Sequence, residues 1–192
     1  ADLLADAGLT RAFLENPDQW QRLRRDPSLI DSAVEEIVRW TTPVIQFCRT
    51  ATRDYPLRDR VIEAGQNACL FYPSANRDER VFPRPDVFDL HRDTSESLAF
   101  GKGVHFCLGA ALARLEGRVS LEEVMWRLPD YRVDVSGIQR VHSTNVRGFS
   151  ALPIAFTLLQ WAGIIGGSAA TGGVGTIAAW GMWQLLKRRR QR

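Results

Sequence analysis

A chain of 192 residues is long enough for one domain with its own core. Its 25 Lys and Arg against 22 Asp and Glu leave a net charge of +3, too mild for a nucleic-acid-binding surface. Five of those cations crowd the run Lys187-Arg188-Arg189-Arg190-Gln191-Arg192, so the body is nearly neutral. Three cysteines, Cys48, Cys69 and Cys107, lack Cys-x-x-Cys spacing, which argues against zinc or a disulfide framework and fits a reducing cytoplasm. The start Ala1-Asp2-Leu3-Leu4-Ala5-Asp6 has neither the basic end nor the long apolar run of a secretory signal.

Residues 1–13 carry no assignable element. Leu14 to about Arg25 reads as a short polar helix ending near Pro27. Ser28 or Asp31 is suited to cap the next helix. Ile30, Ala33, Val34, Ile37 and Val38 recur at i, i+3, i+4, i+7 and i+8, one face of a helix, which Thr41-Thr42-Pro43 ends. Residues 44–72 read as short strands around Ile45, Phe47, Thr50, Thr52, Val61-Ile62 and Cys69-Leu70-Phe71-Tyr72, with turns at Asp54-Tyr55-Pro56 and Ala64-Gly65. Pro73, Pro83 and Pro85 among many charges make 73–97 loop-rich. Leu108, Ala111, Leu112, Leu115 and Val119 mark an amphipathic helix to about Leu128, stopped by Pro129; short strands and a hairpin fill 130–156.

The segment Leu98 to Gly117 carries the chemistry. Gly101, Gly103 and Gly109 surround Cys107, and a helical run follows at once. A helix N-terminus aims free N–H groups and its positive dipole end at a nearby sulfur and favours the thiolate. Glycines let the loop take unusual dihedrals and approach a flat group closely. A cysteine taken alone is as readily a small buried apolar residue.

The pattern Phe100-Gly101-x-Gly103-x-His105-x-Cys107-x-Gly109 resembles the haem-ligand loop of cytochrome P450 monooxygenases. That resemblance implies haem b with its iron bound by Cys107, whose thiolate favours O–O cleavage. It implies that Phe100, Gly101, Gly103 and Gly109 pack against the haem and that His105 hydrogen-bonds a propionate. Glu36-Ile-Val-Arg39 is similar to the family's Glu-x-x-Arg motif; alone, such an i, i+3 pair is a surface contact worth roughly 0.2–0.5 kcal/mol. With Pro85-Asp-Val-Phe88-Asp89-Leu-His-Arg92 resembling the family's segment before the loop, Glu36, Arg39 and Arg92 are the implied structural charge network. Arg49 is the implied cation for a haem propionate. Ala75-Asn76-Arg77-Asp78 resembles a stretch recurrent in bacterial members, although a solvated charged turn reads the same way. The stretches 40–54 and 71–82 are similar to actinobacterial members that oxidise steroid side chains; Val44 and Ile45 then face substrate, or are core strand residues.

The implied fold is mainly α with small β-sheets, the C-terminal portion of the P450 fold, over 14–156. The implied reaction inserts one oxygen atom from O2 into a C–H bond of a hydrophobic, sterol-like substrate, with electrons from a ferredoxin-type donor and no nucleic acid involved. The helix that crosses the distal haem face in the family has only a faint counterpart in Ala7-Gly8-Leu9-Thr10. A catalytically dead remnant is therefore one rival reading.

The other rival lies in residues 157–192. No charge occurs from Gly148 to Leu186. Leu158 to Leu186 is long enough for an apolar helix that spans a bilayer, with Trp161, Trp180 and Trp183 at the interfaces and the basic end cytoplasmic. That reading gives a cytoplasmic body tethered through 158–186, or a membrane-anchored interaction protein. Against it, Gly163, Gly166, Gly167, Gly172, Gly173 and Gly175 weaken a helix by up to about 1 kcal/mol each.

Overall fold

A computed structural model describes residues 11–128 and 130–155. The described chain opens in helix α1, residues 11–15, and α2 follows at Pro17–Arg25. The single helix expected from Leu14 is therefore two. Pro17 has no N–H to continue α1 but suits the first turn of α2, and the Asn16 side-chain amide donates back to the Ala12 carbonyl at 2.8 Å. After a 3-10 turn at Pro27–Leu29 comes α3, Ile30–Thr41. Neither Ser28 nor Asp31 caps it. The Asp26 carboxylate accepts from the Ser28 backbone N–H at 3.1 Å and caps the 3-10 turn instead. Thr42, left-handed at φ 40°, ends α3.

Strand β1 (Gln46–Thr50) pairs antiparallel with β4 (Asn67–Phe71), and between them lies the hairpin β2 (Tyr55–Leu57) with β3 (Arg60–Ile62). Tyr55 and Pro56 are thus strand, not turn; the reversal falls at Arg58-Asp59. A two-stranded ribbon has only edges, where proline is tolerated. Gly65, at φ 88°, makes the next reversal. One helical turn, α4 (Tyr72–Ala75), leads into the long loop. Helix α5 spans Ala110–Arg127. Then β5 (Arg132–Val133) pairs with β8 (Ile154–Ala155), and β6 (Gln139–Arg140) with β7 (Phe149–Ala151).

The core lies between α1, α2, α3 and the long loop: Phe13, Trp20, Leu23, Ala33, Val34, Ile37, Phe88 and Leu90 are all buried. Phe13 meets Trp20 at 5.1 Å and Phe88 edge-on at 5.6 Å between ring centroids, favourable aromatic geometry. Helix α5 crosses α3 at Gly117, where an added Cβ would stand 3.1 Å from Val34 Cγ1.

The apolar stripe that marks α5 as amphipathic is not what seats it in this core. Leu108, Leu112 and Leu115 are exposed, and the buried residues of α5 are Ala110, Gly117 and Leu121. Apolar periodicity marks a face to be covered without saying what covers it. Among the described residues no helix is long and apolar enough to cross a membrane. The apolar helix and membrane span read into 158–186 lie outside the described residues.

Candidate haem-binding site

The loop ahead of α5 is tied at its neck, where the Cys107 N–H donates to the Phe100 carbonyl at 2.8 Å. Between them, Gly101 (φ 72°) and Gly103 (φ 69°) hold dihedrals that side chains resist. A Cβ on Gly101 would also press the His105 carbonyl at 3.3 Å. A 3-10 turn at Gly103–His105 brings the chain round, with Phe106 N–H bonded to the Gly103 carbonyl at 3.0 Å. Cys107 therefore lies just before Gly109, the N-cap of α5. Its thiol is exposed, and a Cβ on Gly109 would stand 3.9 Å from its Sγ.

The surroundings suit a flat apolar ligand carrying its own metal. Val104 is 98% and Leu108 103% exposed, and Phe106, Leu112 and Leu115 are exposed with them. Uncovered apolar side chains flanking one sulfur are the kind of surface that a ligand or further protein covers. Among the described residues no three His, Cys, Asp or Glu side chains gather to cage a bare ion. A lone thiolate fits a metal whose other ligands come from a macrocycle.

Arg114, one helical turn into α5, was not legible as part of this site. Its guanidinium lies 4.8 Å over the Phe100 ring and pairs with Glu35 of α3, donating to Oε2 at 3.2 Å. The bond to Glu35 raises the Arg114 pKa, and the nearby Cys107 charge adds to it. One cation thus touches the loop, α3 and the field of the sulfur. Its position seven residues after the cysteine, on the first turns of the helix, was the available signal.

Glu36, Arg39 and Arg92 come together between α3 and the long loop that precedes the cysteine segment. Arg39 is fully buried and grips Glu36 bidentately, Nε to Oε2 at 2.7 Å and Nη2 to Oε1 at 2.9 Å. Arg92 donates to Glu36 Oε1 at 3.2 Å, as does the Asp89 N–H at 3.0 Å. The remaining guanidinium groups bond loop carbonyls: Arg39 those of Asn76 and Pro85, Arg92 those of Pro83, Arg84 and Val87. Asn76 is fully buried, which a solvated turn would not require. It donates to Thr42 Oγ1 at 2.9 Å and accepts from the Leu98 N–H at 2.8 Å. Arg77 bonds the Trp40 carbonyl at 2.8 Å and pairs with Asp86 at 3.0 Å; burial and then the Arg39 charge lower its pKa.

The remaining candidates are spread out. Arg49 is exposed on β1, its Nη1 bonded to the neighbouring Cys48 carbonyl at 3.0 Å. His105 is exposed on the loop. Val44 and Ile45 are half-buried where β1 begins; Val44 bridges to Val146, and the Ile45 N–H donates to the Asn145 carbonyl at 2.7 Å.

The cytochrome P450 family model matches residues 13–152, and the chain belongs to that family. It is 44% identical over 153 residues to a steroid C26-monooxygenase of Mycobacterium tuberculosis, covering 79% of this chain and 41% of that protein. It is 46% identical over 151 residues to cytochrome P450-terp of a Pseudomonas species, covering 78% and 34%. The structure of Bacillus megaterium CYP109E1 in complex with testosterone superposes with a TM-score of 0.75 at 33% identity, over 79% of this chain and 42% of that one. The chain thus spans about two fifths of the first of these relatives, and less of the second.

Proposed function

We propose that this chain is the haem-thiolate part of a monooxygenase that inserts one atom of O2 into a C–H bond of a hydrophobic, sterol-like substrate. The observation that supports it best is the exposed Cys107 thiol on a glycine loop, at a helix start, amid uncovered apolar side chains. The substrate class draws on the relative named for steroid oxidation and the neighbour solved with testosterone. Haem b bound through the Cys107 sulfur supplies O2 activation, helped by electron donation from the thiolate.

The chain's own residues hold and orient. Cys107 is the iron ligand; Phe100, Gly101, Gly103 and Gly109 let the loop lie flat against the macrocycle. His105 and Arg49 are suited to the propionates, and Val44 and Ile45 to the substrate. Glu36, Arg39 and Arg92 fix the loop to α3 and take no part in the chemistry. Arg114 holds Phe100 against α3 through Glu35. On this reading 14–156 is the haem-binding region of a cytoplasmic protein served by a ferredoxin-type donor.

The test is reconstitution of the chain with haem, reduction and addition of carbon monoxide. The expected result is the long-wavelength Soret band of a thiolate ligand, lost in Cys107→Ser. The same band in that variant would overturn the assignment.

A further inference from the structure

The antiparallel pairing of β1 with β4 sets Cys48 directly opposite Cys69, between the pairs Phe47↔Leu70 and Arg49↔Ala68. Directly opposed residues have Cα atoms about 4.5–5.5 Å apart, inside the span of about 4.4–6.8 Å that a disulfide bridges. Their sulfurs lie 2.7 Å apart, and both residues are exposed to a small reagent. The hydrogen bond to Cys48, then desolvation and the Cys48 charge, raise the pKa of the Cys69 thiol. Exchange can begin at either sulfur, and Cys48 is taken as the first to attack.

We propose that Cys48 and Cys69 form a dithiol redox site, separate from Cys107, that closes to a cross-strand disulfide by exchange with a small disulfide of the glutathione class. The Cys48 thiolate attacks one sulfur of the small disulfide; that S–S bond breaks, and one small thiolate leaves and takes up a proton. Cys69 then loses its proton and attacks Cys48 Sγ. The mixed bond breaks, and the second small thiolate leaves and is protonated. Two protein thiols are oxidised by two electrons, and one small disulfide is reduced to two thiols. Closure ties β1, the strand that carries Arg49, to β4. The site rests on the register of the sheet and not on the haem reading.

The full chain is reduced, freed of reductant and incubated with oxidised glutathione. After alkylation and tryptic digestion without reductant, peptide 40–49 should be linked to peptide 61–77, and the chain should have lost two hydrogens in mass. Closure within a folded sheet is an oriented unimolecular step, so this link should exceed any link to peptide 103–114, which holds Cys107, by about tenfold or more. In urea that preference should vanish. Cys48→Ser and Cys69→Ser should each stop at a glutathione adduct on the remaining sulfur, and Cys107→Ser should close as the wild type does. Stable glutathione adducts on both Cys48 and Cys69 of the wild type, or the same link distribution in buffer and urea, would overturn the proposal.

Discussion

Glu36 carries the most consequential charge among the described side chains of the network. Both Glu36 and Arg39 have no exposed side-chain surface, and Arg92 keeps 6%. In so dry a place, removing one partner costs about 3–5 kcal/mol, because the partners left behind are buried and uncompensated. Glu36→Ala is therefore expected to lower the unfolding free energy by about that amount, measured from the denaturant midpoint. A loss below about 1 kcal/mol would mean that the pair behaves as an exposed i, i+3 contact. Arg39→Lys should recover little, since one ammonium cannot replace a bidentate fork that also reaches two loop carbonyls. At the surface, Arg80 holds the Asp78 carboxyl down to about 2 through hydrogen bonds and charge. A depressed carboxyl stabilises the fold above its ordinary pKa and loses that contribution as pH falls through the folded value. The turn that Asp78 closes should therefore persist as pH falls below the usual carboxylate range and open only near pH 2, as followed by the carboxyl chemical shift. Titration of Asp78 at its ordinary value would show that the contact does not form in solution. The triad could be assembled from the sequence because its members stand in recognisable motifs. Asn76 and Arg114 could not, since what makes each matter is a partner far along the chain: Thr42 and Leu98 for one, Glu35 for the other.

At the scale of elements, α3 was legible because its apolar residues recur with helical period, although Glu36 and Arg39 off that stripe are buried too and Val38 is only half-buried. Helix α5 was legible as a helix, but what its apolar stripe meets was not. The sequence marks Leu108, Leu112 and Leu115 as apolar without distinguishing protein core from ligand. Likewise the opposition of Cys48 and Cys69 depends on register, which is set by pairing across distant strands and not by spacing along the chain. The α3–α5 contact makes its own prediction. Gly117 meets Val34, which is only 3% exposed and has little room to yield. Gly117→Leu should cost about 1–3 kcal/mol through overpacking, and Val34→Ala in the same chain should recover part of that loss. Additive effects of the two substitutions would show that the helices do not meet here in solution.

For the whole molecule, the decisive feature is the open apolar ground around Cys107. Val104 at 98% and Leu108 at 103% exposure are uncovered by any described part of the chain. A haem held by Cys107 would cover that ground. Oxidation of a C–H bond needs the substrate held close and water shut out. The chain as given, about two fifths of its steroid-oxidising relative in length, is therefore expected to bind haem and still fail at turnover. Haem should displace a fluorescent apolar dye from the chain, because both seek the same side chains. Supplied with haem, a ferredoxin system, NADPH and a panel of sterols, it should form product about a hundredfold or more slowly than a full-length relative. Lys substituted at Leu108 and Leu112 should abolish the dye signal and weaken haem uptake while leaving the Glu36 network folded. Turnover matching that of the relative would show that the face opposite Cys107 needs no cover from the rest of such a protein.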